Sequence, residues 1–201
     1  MSIVVCNNNS LSAITSIPAS ISGGALNLIS TQTASSSSTI SFTSGIDSTY
    51  KEYIFKFTDI HPASDSVQFT FNGSADSGSN YNVTKTSTVI ETYHSESGSS
   101  SGNQYNTTFD IAQGTGFQSI SGNIGNENDR TCAGQILLFE PSSTTFVKHY
   151  LANVQFYHSA DFSIHHLTAG YFNTTSAIDA IQFKMSSGNI DAGTIKLYGV
   201  T

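Results

Sequence analysis

Between Ala169 and Val200, two short alternations flank a turn. Ile181, Phe183 and Met185 interleave with Gln182 and Lys184; Ser186, Ser187, Gly188 and Asn189 then break the pattern, and Ile195 and Leu197 interleave with Thr194 and Lys196. A two-residue period puts the apolar side chains of a strand on one face, so the pattern predicts two half-buried antiparallel strands. Each needs an apolar layer opposite it, and the rest of the chain has to supply that second sheet.

The upstream residues have the right pattern. Ile40 and Phe42, then Tyr53, Phe55 and Phe57, then Val67, Phe69 and Phe71 alternate with polar neighbours. Thr86 to His94 reads as a further strand, Tyr105 to Ile111 as a weaker one, and Thr144 to Tyr157 as the longest, bent near Asn153. Ile136-Leu-Leu-Phe139 is a continuous apolar run, which is the pattern of a strand covered on both faces. Asp59 to Asp65, Asn72 to Asn80, the Ser- and Gly-rich Ser95 to Asn103, and Ser159 to His166 read as loops. With eight to ten strands and no convincing helix, the expected fold is all-β: an antiparallel β-sandwich, jelly-roll-like, over residues 39–201.

Residues 1–38 form either an extended N-terminal arm or a first strand followed by a Ser-rich linker, Ser35 to Ser38. Val4, Val5, Leu11, Ile14, Ile17 and Ile21 give this segment more apolar surface than a solvated tail carries, which makes them candidate assembly residues.

Charged residues make up only 10% of the chain, against about 25% in ordinary proteins. Fourteen acidic against seven basic residues leave a formal net charge of -7. Without clustered Lys and Arg there is no footprint for nucleic acid or for an anionic membrane. Cys6 and Cys132 stand far apart in unlike contexts; read as unlinked thiols, they fit synthesis in a reducing cytoplasm. Met1 to Cys6 lacks the positive flank and sustained apolar run of a leader peptide.

Chemistry-bearing residues are sparse. His61, His94, His149, His158, His165 and His166 show no metal-ligand spacing, and His165 and His166 point to opposite faces if they lie in a strand. The acid pairs Glu127/Asp129 and Asp59/Asp65 sit in turns where acids are ordinary. Asp76 to Asn80 lacks the spacing of an EF-hand loop, and no nucleophile motif is present. Cys132, next but one to Arg130, reads as a structural thiol. The chain is therefore expected to be a non-enzyme with no cofactor and no metal. The candidate contact residues are Tyr81, Tyr93, Tyr105, Tyr157 and Tyr171, aromatic faces beside polar loops that suit stacking on sugar rings.

Tyr81-Asn-Val-Thr-Lys-Thr86, Ala112-Gln-Gly-Thr-Gly-Phe-Gln118, Pro141-Ser-Ser-Thr-Thr-Phe-Val-Lys-His-Tyr150 and the stretch from Ala169 to Gly199 carry a resemblance. From about Thr31 onward the chain resembles a family of small virion structural proteins encoded by marine tailed phages of cyanobacteria and related bacteria. The resemblance implies an external capsid decoration or cement protein, assembled in the host cytoplasm and located in the virion. Its partners would be other virion proteins and further copies of itself, as in a trimer. It brings no catalytic residues with it. The alternative from the same resemblance is the head of a tail fibre or appendage, binding host polysaccharide.

Overall fold

A computed structural model describes residues 25–201; the candidate arm residues Val4, Val5, Leu11, Ile14, Ile17 and Ile21 lie outside the described residues. Twelve strands build two antiparallel sheets among those described: β1 (Leu26–Ser37), β2 (Ile40–Phe42), β3 (Glu52–Pro62), β4 (Phe69–Ser74), β5 (Lys85–Ser95), β6 (Ser101–Tyr105), β7 (Gln118–Ser119), β8 (Cys132–Phe139), β9 (Lys148–His158), β10 (Phe162–Phe172), β11 (Ala180–Met185) and β12 (Ile190–Val200). The large sheet runs β1-β12-β3-β8-β9-β10-β5-β6 and the small one β2-β11-β4-β7.

This order is a jelly roll with two additions. Set aside β5–β6 and β9–β10, and two four-stranded sheets remain, β1-β12-β3-β8 over β2-β11-β4-β7, with the chain crossing between them as in a doubled Greek key. The β5–β6 pair is inserted between β4 and β7, and the β9–β10 pair between β8 and β11. Both insertions lengthen the large sheet beyond β8 on the same side.

The sandwich core is aromatic. Phe183 of β11 sits at its hub, with ring centroids 5.5 Å from Phe55 of β3, 5.5 Å from Phe69 of β4 and 6.2 Å from Phe42 of β2. Each of these rings is buried, and each comes from an alternating stretch, which is why the two-residue period located them. Edge-to-face contacts dominate, the arrangement that ring quadrupoles favour.

Several expectations need correction. Asp59 to Pro62 and Asn72 to Ser74, read as loop, are held in β3 and β4 by pairing with β12 and β11, and Ser101 to Asn103, also read as loop, pairs with β5 as β6. The strand expected from Thr144 starts only at Lys148, and β1, with 12 residues, is longer. Residues 162–166, read as loop, lie in β10, which is paired on both sides by β9 and β5. Its polar letters misled because His166 and Thr168 are buried there, and strand identity in a central position is set by neighbours rather than propensity. Ser35 to Ser37 belongs to β1 and pairs with β12 instead of forming a linker; β1 is an edge strand with only Ala34 buried, so its apolar signal is weak. The strand expected at Tyr105 to Ile111 is β6, ending at Tyr105. Beyond it the chain still runs beside β5 through Ser87 N–H to Ile111 O and Lys85 N–H to Gly114 O, but irregularly. Finally, Ile136-Leu-Leu-Phe139 is covered on one face only: Ile136 and Leu138 are buried, while Leu137 and Phe139 face outward.

Candidate interaction surface

Ladder register fixes which side chains share a face. On the outer side of the lengthened sheet, Leu28 lies opposite Tyr198, Tyr198 opposite Ile54, Ile54 opposite Leu137, and Leu137 opposite Leu151. Two residues further along the strands, Leu167 lies opposite Ile90, and Ile90 opposite Tyr105. The result is an apolar band running across all eight strands. Leu151, Leu167 and Ile90 are 44% to 49% exposed in the middle of strands whose other face is packed, and Tyr105, at the end of the edge strand β6, is 52% exposed. Single exposed apolar residues are ordinary, but a band in register is not.

Charge is arranged in the opposite sense. The five strands β5, β6, β8, β9 and β10 contain three charged residues, Lys85, Glu91 and Lys148, and all three point inward and are buried. Their outward positions carry none. Here the sheet hides its charge and shows its leucines, inverting the usual distribution.

The small sheet does not reach under the added strands; residues 106–117 close that space, so polar groups replace part of the aromatic core. The Glu91 carboxylate accepts hydrogen bonds from His166 Nε2 at 2.7 Å, Gln104 Nε2 at 2.9 Å and Asn106 Nδ2 at 3.0 Å. Burial alone pushes the Glu91 carboxyl up, yet these donors outweigh it and its pKa sits below the ordinary value. Burial pulls the His166 imidazole down, and the Glu91 contact opposes this without reversing it. The His166 ring packs against Phe156 and Phe109, at 5.0 and 5.4 Å. Lys85 Nζ donates to Gly116 O and Lys148 Nζ to Thr174 O, each reaching a carbonyl at the sheet's end. Burial lowers the Lys85 pKa to about 8. Tyr150 O–H donates to Gln118 Oε1, which ties β9 to the small sheet.

The two sides of this sheet therefore have separate jobs. The inner polar network ties residues 104–118 to the added strands. The outer band is left free to meet something else.

The five candidate tyrosines are dispersed. Tyr81 is half-buried in the segment before β5. Tyr93 points inward and stacks edge-on against Phe162 at 6.0 Å. Tyr105 lies at the end of the outer band, where its hydroxyl donates to Asp110 and its pKa is raised by that contact. Tyr157 carries the Arg130 guanidinium 4.6 Å from its ring centre, and a hydrogen bond to Glu96 pushes its pKa up to about 12. Tyr171 stands edge-on to its cross-strand neighbour His149 at 6.1 Å. Tyr157 and His149 are eight positions apart on β9, about 26 Å, so Tyr171 and Tyr157 serve no common small site. Tyr171 and His149 do line a hollow of about 280 Å³ on the outer face.

The remaining candidates are absorbed by local structure. The Asp76 carboxylate accepts from Ser74 Oγ, Asn80 N–H and Asn80 Nδ2, closing its own turn. Glu127 pairs with Arg130, whose Nη2 also reaches Asp161 at 2.8 Å. Cys132 is buried beneath β3 and β9, and burial pushes its thiol pKa far up. Among the described residues no group of three or more His, Cys, Asp or Glu is placed to hold a metal ion. Sequence reading missed the outer band. The one signal that pointed to it was the apolar run Ile136 to Phe139, which anticipated a covering for a face that no described residue covers.

The fold and this surface define a jelly-roll β-sandwich extended by two strand pairs, with an apolar, uncharged sheet face turned outward. No protein-family model, curated protein or solved structure matches the chain.

Proposed function

We propose that this chain is a structural protein of a phage virion, an external decoration or cement protein that acts by protein–protein binding. The observation that carries this reading is the outer band: over β5, β6, β8, β9 and β10 the sheet presents leucine, isoleucine and tyrosine while the charged residues of those strands turn inward, the composition of a surface suited to being covered by protein. The sequence resemblance points to the same class, and weak contacts summed over many copies on a shell would hold such a protein without turnover. The test is electron cryomicroscopy of intact virions. Density for this chain at repeating positions on the shell is the expected result; its absence from the particle would overturn the reading.

A second reading, the head of a fibre or appendage binding polysaccharide, draws on the Tyr171–His149 hollow, where an aromatic edge and uncharged polar neighbours meet. Density at the tail only, together with retention on a glycan array that is lost in Tyr171→Ala, would favour it.

A further inference from the structure

The outer face has a shape as well as a composition. Leu151 stands between two hollows, one of about 280 Å³ toward Tyr171 and one of about 320 Å³ toward Leu167 and Ile90, and it lines both. A knob beside its own hollow is self-complementary. Under a two-fold axis, the Leu151 of each copy enters the hollow floored by Ala169 and walled by Leu167 and Leu137 of the other, the reciprocal contact an isologous interface requires.

We infer that this face binds a second copy of the same chain, sheet against sheet, with the two-fold axis passing beside Leu151. The inference rests on the reading of the face as protein-binding and names its first partner. Three observations select a second copy. First, each chain carries a formal net charge of -7, so two copies come together at least cost through a face that sets no like charges in contact, and the outward positions of β5, β6, β8, β9 and β10 carry no Asp, Glu, Lys or Arg. Second, five strands of up to 11 residues present a face on the order of 800 Å² at ordinary strand spacing, which is what each partner gives up in a stable interface. Third, the Ile136 to Phe139 run has the composition of a strand with sheets on both sides; a facing sheet of a second copy supplies the missing one.

The outward histidines set the limit of this neutrality. His94, His149 and His165 lie on the face, and His165 Nε2 sits 2.7 Å from Asn153 Oδ1. Charged groups border the contact: Glu52, Lys56 and Lys196 on β3 and β12, Asp110 at the Tyr105 hydroxyl, and Arg130 and Glu96 at Tyr157.

The test is sedimentation equilibrium of the full chain at neutral pH, with Leu151→Asp and Leu167→Lys as the interface variants and Thr194→Asp as the control. All three sites are on the outer side of strands, and near-ultraviolet circular dichroism checks that each variant keeps native packing. The expected result is a dimer at concentrations on the order of 100 µM, weakened at least about tenfold by either interface variant and unchanged by Thr194→Asp. A monomer at that concentration overturns the inference, as does a trimer, or a dimer indifferent to Leu151→Asp. A dimer abolished by deletion of residues 1–24, with the face variants silent, would assign the contact to the N-terminal segment and also overturn it. A monomer in solution that still decorates virions would sink the two-fold contact alone, whereas a dimer absent from virions would sink the virion role alone.

Discussion

His166 Nε2 lies 2.7 Å from a carboxylate oxygen of Glu91, in a cross-strand pair sealed between the added sheet and residues 104–118. The hydrogen-bond network assigns the neutral imidazole with its proton on Nε2, donated to a charged Glu91. The other ring nitrogen, Nδ1, is buried with no partner. As a bare lone pair it is tolerable; as an N–H of a protonated ring among Phe156 and Phe109 it is a buried donor facing hydrocarbon, which is far more costly.

Stability should therefore fall on mild acidification. His166 has a folded pKa below its ordinary 6.5, so the folded state binds fewer protons than the unfolded chain once pH drops under 6.5, and stability is lost from there down to the folded value. Glu91 adds its own loss below its ordinary 4.5, as pH falls through its lowered pKa. Thermal melts across pH 4 to 8 measure this. His166→Gln should flatten the part of the profile that falls away below pH 6.5; a profile identical to the parent would refute the assignment.

Gly170→Ala should destabilise by about 1–3 kcal/mol through overpacking. A Cβ at Gly170 would meet the ring and hydroxyl of Tyr150 and, at 2.8 Å, the carbonyl of Thr86. Chemical denaturation gives the number. In a Tyr150→Leu background part of the penalty should vanish, because the ring is what the methyl strikes; full additivity would mean the Thr86 carbonyl alone sets the cost.

Cys132 should resist alkylation in the folded protein. Its thiol is 1% exposed and burial raises its pKa far above neutral, so neither access nor thiolate is available. Iodoacetamide treatment followed by peptide mass spectrometry should find Cys132 unmodified in buffer and modified in urea. Labelling at equal rates in both would show that β8 opens readily.

Phe183→Ala should cost about 3–5 kcal/mol, the largest single loss among the aromatic positions, because its ring touches those of Phe42, Phe55, Phe57, Phe69 and Phe71 at once. Equilibrium unfolding checks it. An equal or larger loss in Phe42→Ala would move the hub of the core toward β2.

Strands that pack one apolar face on the aromatic core were legible in the letters. Phe55/Phe57, Phe69/Phe71 and Ile181/Phe183/Met185 keep a strict period because each alternate position is buried in the core between the two sheets. The added strands were harder to read because their inner face is polar. Lys85, Glu91 and His166 look like solvated residues until the segment 106–117 is placed against them, Lys148 until its ammonium reaches Thr174 O, and Leu151 and Leu167 look like core. In β10 both faces carry polar and apolar residues, so its period points to neither side. β1 was faint for another reason: at the rim of the sheet little of it needs to be apolar.

The apolar band crosses from the jelly roll proper onto two strand pairs that the jelly roll does not need for closure. Mutations on the outer positions of β5, β9 and β10 touch no ring of the aromatic core, so this surface is free to drift in composition, and thereby in choice of neighbour, while the scaffold beneath it stays the same. A chain of this kind can change what it holds without relearning how to fold.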